Sequence, residues 1–398
     1  MQQNKNHKAF VFSIALLSVS FSLLSLDSSA QDSTSRRASI AVFSPLYLDS
    51  AFDASGAYRH AKNFPKYFTA GVDFYQGIQL AIDSLQKENV ELDVHIYDTR
   101  SKKKLEAILQ DEDLENIDLF IGHVNVNEAS QLARVAAEKQ IPFVNINLPN
   151  DVGVKANPNY IILNPTLGTH CTAIYKFLQK NYALSPIIYF RKKGTADDRL
   201  KSYFADAEKN TASVPLKMRY VTLEDTITTE QLKRFLDSTK NNICLAGSLD
   251  INFGLALARQ LSAISKSYKS TVVGMPNWEQ TDFNKSTYRG IEIVYSSPLY
   301  LNAENRLVQN IQHHYKTKFF SRTADIVFSG FETLYYFGHL VSDSTDAISS
   351  NFGAKKNTLF GEIDIQPVVN KQNGGTEYYE NKKLYFIKKV DGVIKAVY

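Results

Sequence analysis

Gly71-Val72-Asp73-Phe74-Tyr75-Gln76-Gly77-Ile78 opens a stretch that continues to Glu91-Leu92-Asp93-Val94-His95-Ile96-Tyr97-Asp98-Thr99, and its reading decides the fold. Phe74, Ile78, Ala81, Ile82 and Leu85 share one face at helical spacing. Leu92, Val94 and Ile96 alternate with polar residues, the period of a strand. The cadence then repeats. A helical stretch from Lys102 to Gln110 precedes the apolar run Ile117-Asp118-Leu119-Phe120-Ile121-Gly122. A helix with Ala129, Leu132, Ala133 and Ala136 on one face leads to the strand Ile141-Pro142-Phe143-Val144-Asn145-Ile146. Strands alternating with helices imply a parallel sheet, and such sheets hold ligands beyond the carboxyl ends of their strands.

Upstream, Ile40-Ala41-Val42-Phe43 reads as the first strand. The segment from Leu46 to Ala70 that follows is far longer than the roughly 2–6 residues usual for a strand-to-helix loop. Its aromatics suit either a lid or binding surface, or a passive cover on the rim. Downstream, Tyr160–Leu163 reads as a strand, and a second series begins at Pro186-Ile187-Ile188-Tyr189-Phe190. It alternates helices over 197–208, 229–238 and 253–261 with strands over 216–221, 243–246, 271–274 and 291–295. Helices over 304–317 and 324–341 come next, and the tail beyond Leu359 reads as antiparallel hairpins around Asn373-Gly374-Gly375.

Bulk properties bound the class. A net charge of +4 over 398 residues leaves no nucleic-acid footprint. The length exceeds that of one typical core, so two lobes are expected. Residues 1–30 have the order of a secretory signal: Lys5 and Lys8, an apolar stretch over Ala9–Leu26, then Ser28-Ser29-Ala30. An uncleaved anchor is the competing reading, but five serines dilute the stretch. With no Cys near the cleavage point, lipidation is not expected, and no later segment is apolar enough to span a bilayer. The expected product is soluble, exported and periplasmic, with no membrane span after signal cleavage. Cys171 and Cys244 lie in a helical and a strand pattern, which favours buried free thiols over a bridge.

The ordered set Phe74-Tyr75-Gln76-Gly77, Asp98-Thr99, Ile121-Gly122, Ile141-Pro142-Phe143-Val144, Gly330-Phe331-Glu332-Thr333 and Phe360-Gly361-Glu362-Ile363-Asp364 resembles the type I periplasmic binding proteins, the branched-chain amino-acid receptor class. The opening Phe43-Ser44-Pro45-Leu46-Tyr47-Leu48-Asp49 looks most like a Bacteroidota envelope branch often found with LysM modules; the length leads to the expectation of none here. The resemblance implies an α/β fold of two doubly wound lobes joined by a three-crossing hinge. The first lobe would hold 38–163 plus 298–350 and the second 164–297 plus 355–398, closing on ligand.

In such a cleft the ligand-binding candidates follow the strand ends. The first lobe offers Ser44, Tyr47, His123, Asn125, Asn127, Asn145 and Asn147; the second offers Arg191, Lys192, Ser248, Asp250, Asn252, Asn277 and Trp278. An Asn-rich rim suits neutral polar groups, and a flat indole stacks on a ring. Each has a plainer role. Asn145 and Asn147 suit a turn, His123 and Asp250 suit helix caps, and Trp278 suits a packing anchor. The Ser/Thr-rich turn that holds a carboxylate in amino-acid receptors is replaced by Gly122-His123-Val124-Asn125-Val126-Asn127, and the usual Tyr-Asp of the late helix by Phe331-Glu332. Both departures speak against an α-amino acid ligand.

No G-x-G-x-x-G after a strand, phosphate loop, H-E-x-x-H or G-x-S-x-G occurs, so no enzyme, cofactor or metal is expected. Two functions remain open. One is a receptor for a small polar solute, delivering to an ABC permease. The other is an envelope interaction protein acting on peptidoglycan synthesis, with a cell-wall enzyme as partner.

Overall fold

A computed structural model describes residues 36–397, apart from 112–113, 213, 225, 344–347 and 353–357. The expected signal segment, 1–30, lies outside the described residues. From Ala38 onward the chain forms one compact unit. Its first five strands are β1 (Ala38–Ser44), β2 (Leu92–Asp98), β3 (Leu119–Gly122), β4 (Phe143–Asn145) and β5 (Tyr160–Ile162). The next five are β6 (Ile187–Arg191), β7 (Met218–Thr222), β8 (Asn242–Ala246), β9 (Ser270–Val273) and β10 (Glu292–Ser297). Four more close the chain: β11 (Ile365–Val369), β12 (Thr376–Asn381), β13 (Tyr385–Val390) and β14 (Val393–Val397). They build two seven-stranded sheets, ordered β11-β12-β5-β4-β3-β1-β2 and β14-β13-β10-β9-β8-β6-β7. The long helices are α1 (Lys66–Lys87), α2 (Val126–Lys139), α3 (Leu167–Tyr182), α4 (Thr195–Lys209), α5 (Ile251–Ala263), α6 (Arg306–Phe319) and α7 (Asp325–Asp343).

Helices cover both faces of each parallel sheet, so alternate residues of one strand feed two different cores. Ile40 and Val42 of β1 join the core with α1 and α7, whereas Ala41 and Phe43 join the one with α2. In the second sheet Ile188 and Phe190 face one core, and Ile187 and Tyr189 the other. The α1–α7 contact explains two of the sequence motifs. A Cβ on Gly77 would lie 2.1 Å from the Val327 carbonyl oxygen, and one on Gly330 would lie 2.7 Å from that of Phe74. The two helices approach so closely because glycine stands at both crossing points. Each thiol is free and buried, as expected.

The chain passes from the first sheet to the second between β5 and α3, returns between β10 and α6, and passes over again between β12 and β13. Two doubly wound lobes joined by three crossings result. The tail corrects the expected partition. Instead of joining the second lobe as a block, 365–381 pairs within the first sheet, where β12 runs parallel to β5 and β11 antiparallel to β12. Only β13 and β14 join the second sheet, antiparallel to β10 and to each other. The hairpin pattern was visible in the sequence; its edge was not, since two sheets offered equivalent free edges. The expected helix over 102–110 shrinks to one turn, Leu105–Ile108. Here Asp49 takes the Lys102 N–H at 2.6 Å and Lys104 stays extended without a side-chain cap.

Candidate functional site

Between the two sheets lies a cleft of about 760 Å³. It is lined by the chain just beyond β4 (Ile146, Asn147), β5 (Leu163, Asn164), β8 (Leu249), β9 (Pro276, Asn277, Glu279) and β10 (Pro298, Leu299). The first half of α7, the start of α3 and the crossing segments complete it. The site is therefore at the carboxyl ends of the strands, as parallel-sheet logic requires. It lies on the hinge side, however, and the ends of β1, β3 and β6 contribute nothing to it.

That displacement decides the fate of the candidates. Asn147 lines the cleft, and so does Asn277. Asn147 also bridges both backbone groups of Val124, at 3.0 and 2.9 Å, while Asn277 donates to the Leu249 carbonyl at 2.8 Å. Each is held in place yet presents a face to the cavity.

The others are committed elsewhere, by their own local chemistry. Ser44 is fully buried and donates to the Gly71 carbonyl. Tyr47 takes a left-handed backbone (φ 59°) and packs its ring on Tyr67 and Phe68. The Asp98 carboxylate holds it there by accepting the N–H groups of Leu46, Tyr47, Leu48 and Arg100 at 2.8–3.1 Å. Asn125 caps α2 in a reciprocal capping box with Glu128, which occupies its side-chain oxygen and its own N–H. Asn127 is exposed in the first turn of the same helix. Asn145 is buried, donating to Tyr160 Oη and the Leu148 carbonyl. His123 lies beside Phe74 with its Nδ1 unpartnered, and burial pushes its pKa down to about 4.

In the second lobe Arg191 is buried and paired with Asp198, and Lys192 donates to Asp250 at 2.8 Å. Ser248 accepts the Asp250 N–H, Asp250 caps α5 through the N–H groups of Asn252 and Phe253, and Asn252 is exposed on that helix. Trp278 has no exposed surface. Its indole lies in a slot left by Gly274 and Gly254, where a Cβ would come within 2.2 and 2.8 Å of it, and against Phe283. It is a packing anchor, because the turn after β9 directs it into the core instead of the cleft.

Sequence reasoning missed four cleft residues. Glu279 follows Trp278 and hydrogen-bonds Ser297; burial, with Asp325 as a lesser contributor, pushes its pKa up. Asp325 opens α7, and its pKa is also raised by burial. Glu332, the residue that departs from Tyr-Asp, accepts the N–H groups of Leu359, Phe360 and Gly361 at 3.1–3.3 Å, while burial raises its pKa. His170, on α3, contacts Ser296 Oγ through Nδ1 at 2.8 Å and is pushed by burial to about 3. Among the described residues no group of three His, Cys, Asp or Glu is placed to hold a metal ion. No helix among them is long and apolar enough to cross a membrane.

No family model matches the chain, and no curated protein matches it in sequence. Solved structures do resemble it. An ABC transporter substrate-binding protein from Desulfitobacterium hafniense, solved in complex with Leu, superposes with TM-score 0.52 at 12% identity, covering 91% of this chain and 100% of its own. A branched-chain amino acid ABC transporter periplasmic ligand-binding protein from Burkholderia xenovorans gives 0.55 at 12%, covering 91% and 95%. The C-domain of LpoA from Haemophilus influenzae, described as a regulator of PBP1A, gives 0.55 at 12%, covering 91% and 100%. These likenesses establish the fold of the type I periplasmic binding proteins.

Proposed function

We propose that this protein is a non-enzymatic, exported receptor that closes its two lobes on a small solute. The observation that carries this reading is the cleft of about 760 Å³ at five strand ends drawn from both lobes, a volume in the range of small-molecule sites. Its walls mix apolar surface from Leu163, Leu249, Leu299 and Ile326 with a few polar groups, which is the make-up of a ligand site. An ABC permease is the matching partner, by analogy with the substrate-binding proteins of the same fold.

A second reading rests on a separate observation. The oversized loop folds into an aromatic cluster that leaves Leu48, Phe52, Phe64 and Tyr67 exposed, none of which lines the cleft. That patch suits an interaction with another envelope protein, in line with the same fold in LpoA, a regulator of PBP1A. Thermal unfolding against a panel of amino acids, oligosaccharides, nucleosides and muropeptides separates the two. A ligand at 100 times its Kd adds about 2.7 kcal/mol, so a receptor shows a rise of several degrees with one class. No rise with any class, together with capture of an envelope enzyme that is lost on Phe64→Ser, supports the interaction role.

A further inference from the structure

We infer that the cleft selects an organic amine, a ligand with a cationic nitrogen on an apolar body and no carboxylate of its own. This deepens the receptor reading and rests on it.

The cleft lining is one-sided in charge. Four carboxylates, Glu279, Asp325, Glu332 and Glu362, line it, and among the described residues no lysine or arginine does. Two of the four are already satisfied: Glu332 by three backbone N–H groups, Glu362 by Lys383 at 2.7 Å. Glu279 and Asp325 are not. Glu279 has a hydroxyl and no ion pair, and the Asp325 carboxylate has neither a hydrogen bond nor an ion pair. These two stand on opposite lobes, Glu279 beyond β9 and Asp325 at the start of α7, near enough that the Asp325 charge acts on Glu279 and both act on Tyr295, while Lys389 and Arg322 act on them from outside the lining. Two like charges facing each other across a closing cleft oppose closure, whereas a cation between them reverses the sign.

A second, independent feature marks the same cavity as a ligand site. His170 is 3% exposed and lines the cleft; with Nδ1 on Ser296 Oγ, its Nε2 makes no hydrogen bond within the protein. With Nδ1 donating to Ser296 Oγ, Nε2 accepts a ligand N–H; with Nδ1 accepting, Nε2 donates, so the ring marks a place for a polar ligand atom and not the sign of its charge. The apolar walls define the rest of the ligand, and the lack of any cation on the lining leaves a ligand carboxylate without a partner. A metal ion does not fit, since the described carboxylates are not grouped as ligands for one.

The test is calorimetric titration of the full protein with three probes of one chain length: hexylamine, 1-hexanol and hexanoate. Hexylamine is expected to bind with an affinity that falls as salt rises, with hexanol and hexanoate at least about tenfold weaker. Glu279→Gln and Asp325→Asn, which keep shape and remove charge, are each expected to weaken hexylamine about tenfold or more. Equal binding of hexylamine and hexanol, tighter binding of hexanoate, or unchanged affinity in both variants overturns the inference. Thermal shift with the neutral sugars and nucleosides above distinguishes its failure from that of the receptor reading. A response to those but not to hexylamine removes the amine and keeps the receptor, while silence throughout removes both.

Discussion

The two ends of the interlobe region are made of similar residues and do opposite things. At the ends of β1, β3 and β6 most candidate polar groups have found a partner in their own lobe, His123 Nδ1 being an exception. Asp98 closes the β1 exit, Asn125 and Glu128 cap α2, and Arg191 and Lys192 are tied to Asp198 and Asp250. On the hinge side, at the ends of β4, β5, β9 and β10, Glu279, Asp325 and His170 retain unused capacity around open volume. A polar side chain after a strand is thus no evidence of a ligand. What separates site from scaffold is whether unused hydrogen-bonding capacity borders open volume; His123 Nδ1 and Trp278 Nε1 are unpartnered too, but neither residue lines the cleft.

The contrast can be broken first at a packed residue on the hinge side itself. Trp278→Ala removes a fully buried indole from its glycine-lined slot and should cost about 3–5 kcal/mol in denaturant unfolding, while the cleft lining remains as it is. A small stability loss coupled to a large binding loss would return Trp278 to the site.

Next in size is a pH effect. His123 is held neutral by burial, with its pKa near 4. Between about pH 6.5 and 4 the unfolded chain takes up a proton that the fold refuses, so stability is lost as pH falls through that window. His123→Gln should flatten the loss by about 2–3 kcal/mol, read as the difference between the two proteins' unfolding free energies at pH 7 and pH 4. Parallel curves for both would show that His123 is protonated in the fold. The raised carboxylates, Glu279, Asp325 and Glu332, work in the opposite direction and cancel in this comparison.

The smallest effect is the most discriminating. Asn125→Ala deletes one half of the α2 capping box and should cost about 1 kcal/mol with no change in affinity for any cleft ligand. A binding defect larger than its stability defect would move the site back to the β3 end.

Much of the fold was legible because it depends on local periodicity. The α1 face of Phe74, Ile78 and Ala81, and the alternation in β2, each bury residues that the sequence already spaces for burial. The cadence of strand and helix then leaves a doubly wound sheet as the consistent answer, and the glycines at 77 and 330 are a trace of one helix crossing. Candidate site residues were far less legible. Asn147 and Asn277 were found, but Glu279 stood one residue from the chosen Trp278, and Asp325 and His170 looked like ordinary helix residues.

By itself, then, the sequence determined the α/β alternation, because hydrophobic spacing acts within one element or between neighbours; the three crossings came only as what the family resemblance implies. Only the tertiary structure decided which sheet took the β11–β12 hairpin, which way Trp278 turned, and which carboxylates came to line the cleft. Those outcomes depend on long-range competition for hydrogen bonds and volume. Glu332 meets Phe360, and Asp98 meets Leu46, across separations that no local pattern encodes.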